Sequence, residues 1–344
     1  MRVLMTGYAG YIGAVLIPKL LDDGHDVVGL DTGYYEGCSF GIFDPPIATL
    51  RKDLRDVVAK DLQNIDAVIH LAAISNDPLG DMNPKCTYDI NHLASMHLAQ
   101  LAKQSGARRF VYSSSCSIYG AASPDDILDE TATFAPVTPY AESKVLVERD
   151  LALMADDSFS PVYLRNATVY GVSPQLRGDL VVNNLVGWAF TTGKVLLKSD
   201  GSPWRPLVHV EDVCGAISAA LNAPRELIHN EAYNVGREGE NYRIRTVAEI
   251  VQKHVKGSEV ALAEGAGGDP RCYRVDFSKI YKKLPNFLPA WDVERGVIQL
   301  RDAFEAIGIT KEDLEGHRFL RIKTILKLIN EKRLDSDLRW IHRS

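Results

Sequence analysis

Tyr140 and Lys144 lie four residues apart, so on a helix they share a face and an ammonium can stand beside a phenol. A phenol with an ordinary pKa of about 10 is a weak base at neutral pH, and a neighbouring cation moves it toward a useful range. Both residue types are common, so the pair alone carries little. A serine cluster precedes it, Ser113-Ser114-Ser115-Cys116-Ser117-Ile118-Tyr119-Gly120, directly after an apolar strand pattern, where parallel sheets bind their ligands. Gly7, Gly10 and Gly13 follow the first apolar run and open a helical pattern, so backbone N–H groups and a helix N-terminus can approach a diphosphate. Asp31 ends the next apolar run, 18 residues after Gly13, close to the spacing of a dinucleotide fingerprint. An acid there accepts both ribose hydroxyls and repels a 2′-phosphate, which favours NAD over NADP.

These residues converge only if a parallel sheet carries them. β-Branched runs at 2–6, 26–30, 67–70, 109–113 and 162–166 alternate with helical periodicity over 12–23, 87–105 and 139–154, the rhythm of β-α-β units in a doubly wound sheet. From about Gly171 the rhythm breaks into Gly- and Pro-punctuated pieces, as expected of a smaller lobe. Residues 317–333 place Phe319, Ile322, Ile325, Leu326 and Ile329 on one helical stripe among basic residues, which predicts packing on the chain itself or on a second subunit rather than on a membrane or an acidic partner. With 344 residues and a net charge of −6, the chain has room for two lobes and lacks the basic excess that nucleic-acid binding needs. There is no membrane-length apolar run and no signal-peptide pattern, so a cytoplasmic enzyme is expected. The five cysteines, Cys38, Cys86, Cys116, Cys214 and Cys272, have no paired spacing, so neither a metal site nor a disulfide framework is expected.

Together these residues resemble the extended short-chain dehydrogenase/reductase family, in particular its NAD-dependent nucleotide-sugar epimerases and dehydratases, from Met1 to about Leu300. The resemblance implies an α/β fold, a Rossmann-type doubly wound parallel sheet with a smaller C-terminal substrate-binding lobe. Residues 1–171 with about 206–236 would form the NAD-binding domain and 172–205 with 237–309 the nucleotide-sugar lobe, leaving 310–344 as a helical extension. The family's glycine motif is matched by Thr6 to Gly13, which makes Gly7, Gly10, Tyr11, Ile12 and Gly13 cofactor contacts. Asp31 matches the acid on the adenosine ribose, Asp53-Leu54 the pair beside the adenine, and His70-Leu71-Ala72-Ala73 the turn beneath the dinucleotide. Asn91 matches the asparagine that begins the long central helix, and Ser113 joins the cofactor contacts. Ser115, Tyr140 and Lys144 match the catalytic set. In the family, the tyrosine phenolate takes a sugar hydroxyl proton as hydride leaves the same carbon for NAD, while the serine hydrogen-bonds that oxygen and the lysine holds the cofactor ribose.

Family 4,6-dehydratases place a carboxylate just after the catalytic serine or threonine, where this chain has Cys116 and Ser117, so epimerisation, at carbon 4, is the leading expectation. Net dehydrogenation or ketone reduction is the alternative, ahead of dehydration or a non-catalytic NAD sensor. Cys116 is read as a small buried residue. For the substrate, the resemblance assigns Asn184-Leu185 near the nucleotide and Arg205 on the diphosphate, and Arg271 is a second candidate phosphate clamp, as an arginine fork suits phosphate oxygens. Thr168 stands where most members carry a diphosphate-binding asparagine, and Tyr273 where a bulky side chain excludes a 2-acetamido group. Asn76 or Asp77, in a polar loop, would either meet a hexose hydroxyl or form a plain turn. A homodimer through helices 87–105 and 139–154 is expected, with a nucleotide-diphosphate sugar as the small-molecule partner.

Overall fold

The computed structural model describes residues 1–120, 126–267 and 272–341. Strands β1 (Arg2–Thr6), β2 (Asp26–Asp31), β3 (Ala48–Arg51), β4 (Ala67–His70) and β5 (Arg109–Ser115) join Ser160–Asn166 and Glu231–Val235 in a seven-stranded sheet. Its order is Glu231–Val235, Ser160–Asn166, β5, β4, β1, β2, β3, and every neighbouring pair is parallel. β4 is buried along its whole length, as a continuous apolar run must be when helices cover both faces. The chain steps outward through β2 and β3, then returns to the other side of β1 for β4. The loops after β1 and β4 therefore flank a crevice at the switch point of the sheet.

Helix α1 (Tyr11–Asp22) packs one face, where Leu16, Ile17 and Leu20 meet Val3, Met5 and Ile217 of Val210–Asn222. The other face is covered by a run that begins with α2 (Asp77–Met82) and α3 (Pro84–Tyr88), passes through one π-helical turn at Asp89–Leu93, and continues as α4 (Ala94–Gln104). Asn91 thus sits inside this helical run rather than at its start. The run begins early because the Asn83 side chain accepts from Cys86 N–H and Pro84 occupies the first turn, a strong start signal. Helix α5 (Pro139–Ala152) starts on the same logic, with Thr138 accepting from Ala141 N–H and Pro139 next. Two sheet strands are absent from the sequence reading. β3 is a four-residue edge strand that is mostly exposed, so it shows no apolar run, and Glu231–Val235 lies beyond the point where the β-α-β rhythm breaks.

The smaller lobe has its own apolar core, in which Tyr170, Leu185, Val186, Leu207, Val251 and Phe304 are buried. Its helices Val181–Thr192, Ile244–His254 and Val293–Ile307 pack around strands Trp204–His209 and Lys194–Ser199. The C-terminal stripe folds onto the chain itself, with Phe319 and Ile325 fully buried. Its helix is shorter than the periodicity predicts, Arg321–Asn330, because the Phe319 carbonyl accepts from Gly178 N–H (2.9 Å) outside the helix. Among the described residues, no helix is long and apolar enough to cross a membrane.

Candidate active site

The glycine turn is shaped by steric need. Gly7 has φ +73°, and a Cβ there would stand 2.8 Å from the Ala72 nitrogen; a Cβ on Gly13 would come within 2.5 Å of the Gly7 carbonyl. Only glycine lets this turn press against Leu71-Ala72 and lets α1 start so close to it. No side chain caps α1 and its first turn holds no acid, so its N–H groups and positive dipole end face the crevice, which fits a diphosphate. Beneath it, Thr6 Oγ1 lies 2.6 Å from His70 Nδ1, and His70 Nε2 lies 2.7 Å from Ser95 Oγ. Burial pushes His70 down to about 3, with the Lys144 charge adding to the effect, so this imidazole is a neutral strut. At the end of β2, burial raises the Asp31 carboxyl against a hydrogen bond from Gly33 N–H (2.8 Å) and the charge of Arg321. Asp53 accepts both from Arg55 N–H and from the Arg55 guanidinium, while Leu54 is buried in the core.

The structure brings Ser115, Tyr140 and Lys144 together at the carboxyl end of β5. The Ser115 hydroxyl acts on the Tyr140 phenol, and its Oγ accepts from Ser117 N–H (3.1 Å). Burial raises the Tyr140 phenol; the Ser115 hydroxyl and the Arg177 guanidinium oppose it, and Asp77 and Cys116 add to it. Lys144 is 4% exposed; its Nζ donates to the Ser113 carbonyl (2.6 Å) and lies 4.6 Å from the Tyr112 ring centre and 5.8 Å from that of Tyr140. Ser113 therefore enters the site through its backbone, while its hydroxyl accepts from Asn166 (3.0 Å). Cys116 is fully buried, with its thiol donating to the Arg165 carbonyl (3.1 Å) and burial pushing its pKa up. It offers neither an acid nor a base, as its reading as a core residue requires.

Burial of Lys144 without a carboxylate hydrogen bond lowers its ammonium to about 7, with Glu148 opposing. Between that value and the ordinary lysine value of 10.5 the unfolded chain holds a proton that the folded chain has released, so this group's contribution to stability rises with pH across the window. Below about 7 the burial penalty is full. Lys144→Met is therefore expected to unfold at a higher temperature than the parent near pH 7, both free of cofactor, and the gap should shrink toward pH 9. Calorimetry across that range checks this, and a pH-independent gap would contradict it.

Asn91 binds the loop after β4 to α5. Its amide accepts from Ile74 N–H (2.7 Å) and donates to the Ile74 carbonyl (3.0 Å) and to Ser143 Oγ (3.1 Å), and Ser143 donates to the Tyr140 carbonyl (2.7 Å). The π-helical turn around Asn91 gives that side chain its reach, a common use of such turns at functional sites. Asn76 is likewise engaged by the protein: it caps α2 through Leu79 N–H (3.0 Å) and donates to Asp179 (2.6 Å). The loop it begins is a helix start, and Asp77 accepts from Thr138 (2.8 Å) at the start of α5.

The sequence reading did not find Arg177, Asp179 and Asn183. Arg177 is paired with Asp179 through Nε (3.0 Å) and Nη2 (2.6 Å), donates to Ser75 Oγ (3.1 Å), and acts electrostatically on Tyr140. Buried Asn183 donates to the Tyr11 hydroxyl (3.2 Å) and the Arg177 carbonyl (3.0 Å) and accepts from Gly171 N–H (2.9 Å), so it ties this loop to the glycine turn. The available signal was an Arg-x-Asp triplet between Leu176 and Leu180, charges that an apolar surrounding tolerates only when paired.

In the smaller lobe Thr168 opens a strand, Thr168–Tyr170, beside Trp204–His209. Asn184 donates to the Gly178 carbonyl (2.7 Å) and the Leu185 side chain lies in the core. The Arg205 guanidinium lies 5.8 Å from the ring centre of buried Tyr273, which puts these two candidates in one place. Arg271 lies outside the described residues. No group of three or more His, Cys, Asp or Glu able to hold a metal occurs among the described residues.

The sequence model of the NAD dependent epimerase/dehydratase family matches residues 3–236. A UDP-glucose 4-epimerase of Lactobacillus helveticus is 30% identical over 301 residues, covering 81% of this chain and 89% of that protein. Among solved structures, MoeE5 in complex with UDP-glucose and NAD is similar at TM-score 0.76 and 28% identity, covering 89% of this chain and 99% of the other. TunA, an NAD-dependent NDP-hexosamine 5,6-dehydratase of tunicamycin biosynthesis, is similar at TM-score 0.79 and 25% identity, over 89% of this chain and 98% of the other.

Proposed function

Because this chain belongs to the NAD dependent epimerase/dehydratase family, we propose that it is an NAD-dependent nucleotide-sugar 4-epimerase, which takes one sugar hydroxyl to a ketone and restores it with the opposite configuration. The observation that carries this reading is the convergence of Ser115, whose hydroxyl acts on the Tyr140 phenol, with Tyr140 and with Lys144 Nζ, 5.8 Å from the Tyr140 ring centre, and no carboxylate at Cys116 or Ser117. NAD, when bound, accepts hydride from the hydroxyl-bearing carbon and gives it back.

The chain's own residues do the rest. The turn at 7–13 and the N-terminus of α1 hold the cofactor diphosphate, with Asp31 on the adenosine ribose and Asp53-Leu54 beside the adenine. Tyr140 takes the hydroxyl proton at its phenol oxygen and later returns it. Ser115 steadies the same sugar oxygen, Lys144 holds the cofactor ribose, and Arg177 supplies positive charge that favours a phenolate in a buried place. Arg205 and Tyr273 stand where the nucleotide-linked sugar is bound. A panel of UDP-, dTDP-, GDP- and CDP-hexoses incubated with protein and NAD tests the reading. An isomeric product without net NADH is the expected result, whereas NADH accumulating with a keto product would make the protein a dehydrogenase.

The chain pairs, in this reading, as a homodimer through α4 and α5, where Leu93 and Leu153 are 58% and 83% exposed beside them. Light scattering should return twice the chain mass of 38.0 kDa, and a single-chain mass would overturn it.

A further inference from the structure

The last thirty-odd residues lie well beyond the stretch that the family model matches, 3–236, yet they bind the loops that follow β2, β3 and β4. The carbonyls of the final segment are gripped from the main body. Ser336 accepts from Asn83 (2.9 Å), Asp337 from Cys86 Sγ (3.3 Å) and Arg55 (2.8 Å), and Leu338 from Arg55 (3.3 Å) and the Tyr34 hydroxyl. Leu334 and Leu338 are buried against Ile74, Leu79, Cys86 and Ile90, which anchors the segment on the β4 side. The side chains of Arg339 and Trp340 reach the β2 and β3 side. The Trp340 indole N–H donates to the Thr32 carbonyl (2.8 Å), one residue past Asp31. Arg339 lies 3.5 Å from the Asp53 carboxylate and 2.5 Å from that of Asp56. The segment therefore spans both flanks of β1, the strand whose end carries the glycine turn.

We propose that Arg339 and Trp340 are positioning residues for the adenosine half of the dinucleotide, so that the C-terminal extension completes a cofactor site which the family region leaves open. This rests on the reading of the chain as an NAD enzyme with Asp31 and Asp53 at the adenosine. Arg55 already grips Asp53 through two bonds and gives its remaining N–H groups to the extension. Asp53 is thus held by a cation on its own turn, while Arg339 from the extension hydrogen-bonds Asp56 on the same turn and stands 3.5 Å from Asp53, and the Thr32 carbonyl, beside Asp31, accepts from the indole. Loss of either contact loosens the turn that carries Asp53 and Asp56 or the residue beside Asp31, and the bound state must then order it again. An epimerase has a use for this, since it returns the hydride to the same sugar and gains nothing from releasing its cofactor.

The test is titration calorimetry of cofactor-free protein with NAD and with ADP, the latter carrying only the adenosine half. Arg339→Ala is expected to weaken both about tenfold, the effect of losing one partly exposed charge-assisted contact. The Arg339→Ala unfolding midpoint should hardly move, because exposed ion pairs stabilise a fold little. Arg339→Lys should recover most of the affinity, and Trp340→Phe, which keeps the ring and loses the N–H, should weaken both ligands as well. Unchanged affinity for NAD and ADP in Arg339→Ala and Trp340→Phe overturns the proposal. So does weakening that only follows a large fall in the unfolding midpoint, which would make the extension merely structural. If the parent binds neither NAD nor ADP, the cofactor reading itself fails.

Discussion

Tyr140→Phe is expected to cut turnover by roughly a thousandfold, the middle of the range attributed to a positioned acid–base group, while NAD binding is kept. The substitution removes one oxygen and leaves the ring where it packs. What goes is the atom on which the Ser115 hydroxyl and the Arg177 guanidinium both act. Neither Cys116 nor His70 can replace it: the Cys116 thiol is turned to the Arg165 carbonyl and held protonated by burial, and His70 is locked neutral between Thr6 and Ser95. Burial also keeps the Tyr140 phenol protonated above its ordinary range before cofactor arrives. The parent's kcat should consequently rise with pH along one ionisation that the Phe variant lacks. Product chromatography under saturating sugar nucleotide, with bound NAD measured separately, checks both statements. Retention of more than a tenth of the parent turnover would show that Tyr140 is not the group that moves the proton.

The parts of this molecule that were legible in the sequence are those whose signal is local. The turn at 7–13 needs glycine for steric reasons that three positions declare, and Tyr140 and Lys144 share a face because helix geometry puts residues four apart together. What was not legible depends on partners distant in sequence. Asn76 reads as a polar loop residue until Asp179, 103 positions away, is seen to accept from it. Asn91 reads as a family cofactor contact, and its bonds to Ile74 and Ser143 are invisible without the π-helical turn that aims it. β3 escapes because an exposed edge strand has no apolar face to display. The extension was legible as an amphipathic stripe but not as a neighbour of Thr32 and Asp53, since those contacts span about three hundred residues.

Glu148→Leu is expected to destabilise the fold by about 3–5 kcal/mol, the cost of leaving one member of a buried ion pair unpaired. Both side chains are 6% exposed, at 2.7 Å between Arg165 Nη2 and Glu148 Oε2, and Ser114 Oγ also donates to the carboxylate (2.5 Å). Arg165 in turn reaches the Tyr119 hydroxyl (3.1 Å) and the Glu130 carbonyl (2.9 Å), contacts that cannot neutralise it. Glu148→Leu combined with Arg165→Met should recover most of the loss, because two apolar side chains of similar volume satisfy the same space without a charge to desolvate. Denaturant unfolding of the two single variants and the double variant measures this, and additive losses in the double variant would refute the ion-pair account. The pair also bears on the chemistry. Glu148 lies one turn beyond Lys144 on α5, and the strand carrying Arg165 is in register with β5 at Ser114↔Arg165 and Ser115↔Asn166. The bridge thus clamps the helix that bears Tyr140 and Lys144 to the strand end that bears Ser115. Glu148 is also the charge that holds the Lys144 ammonium up against burial. The recovered double variant should therefore fold well yet work poorly, with Lys144 losing its proton at a lower pH than in the parent. A double variant that is both stable and fully active would mean that neither the clamp nor the charge matters to the reaction.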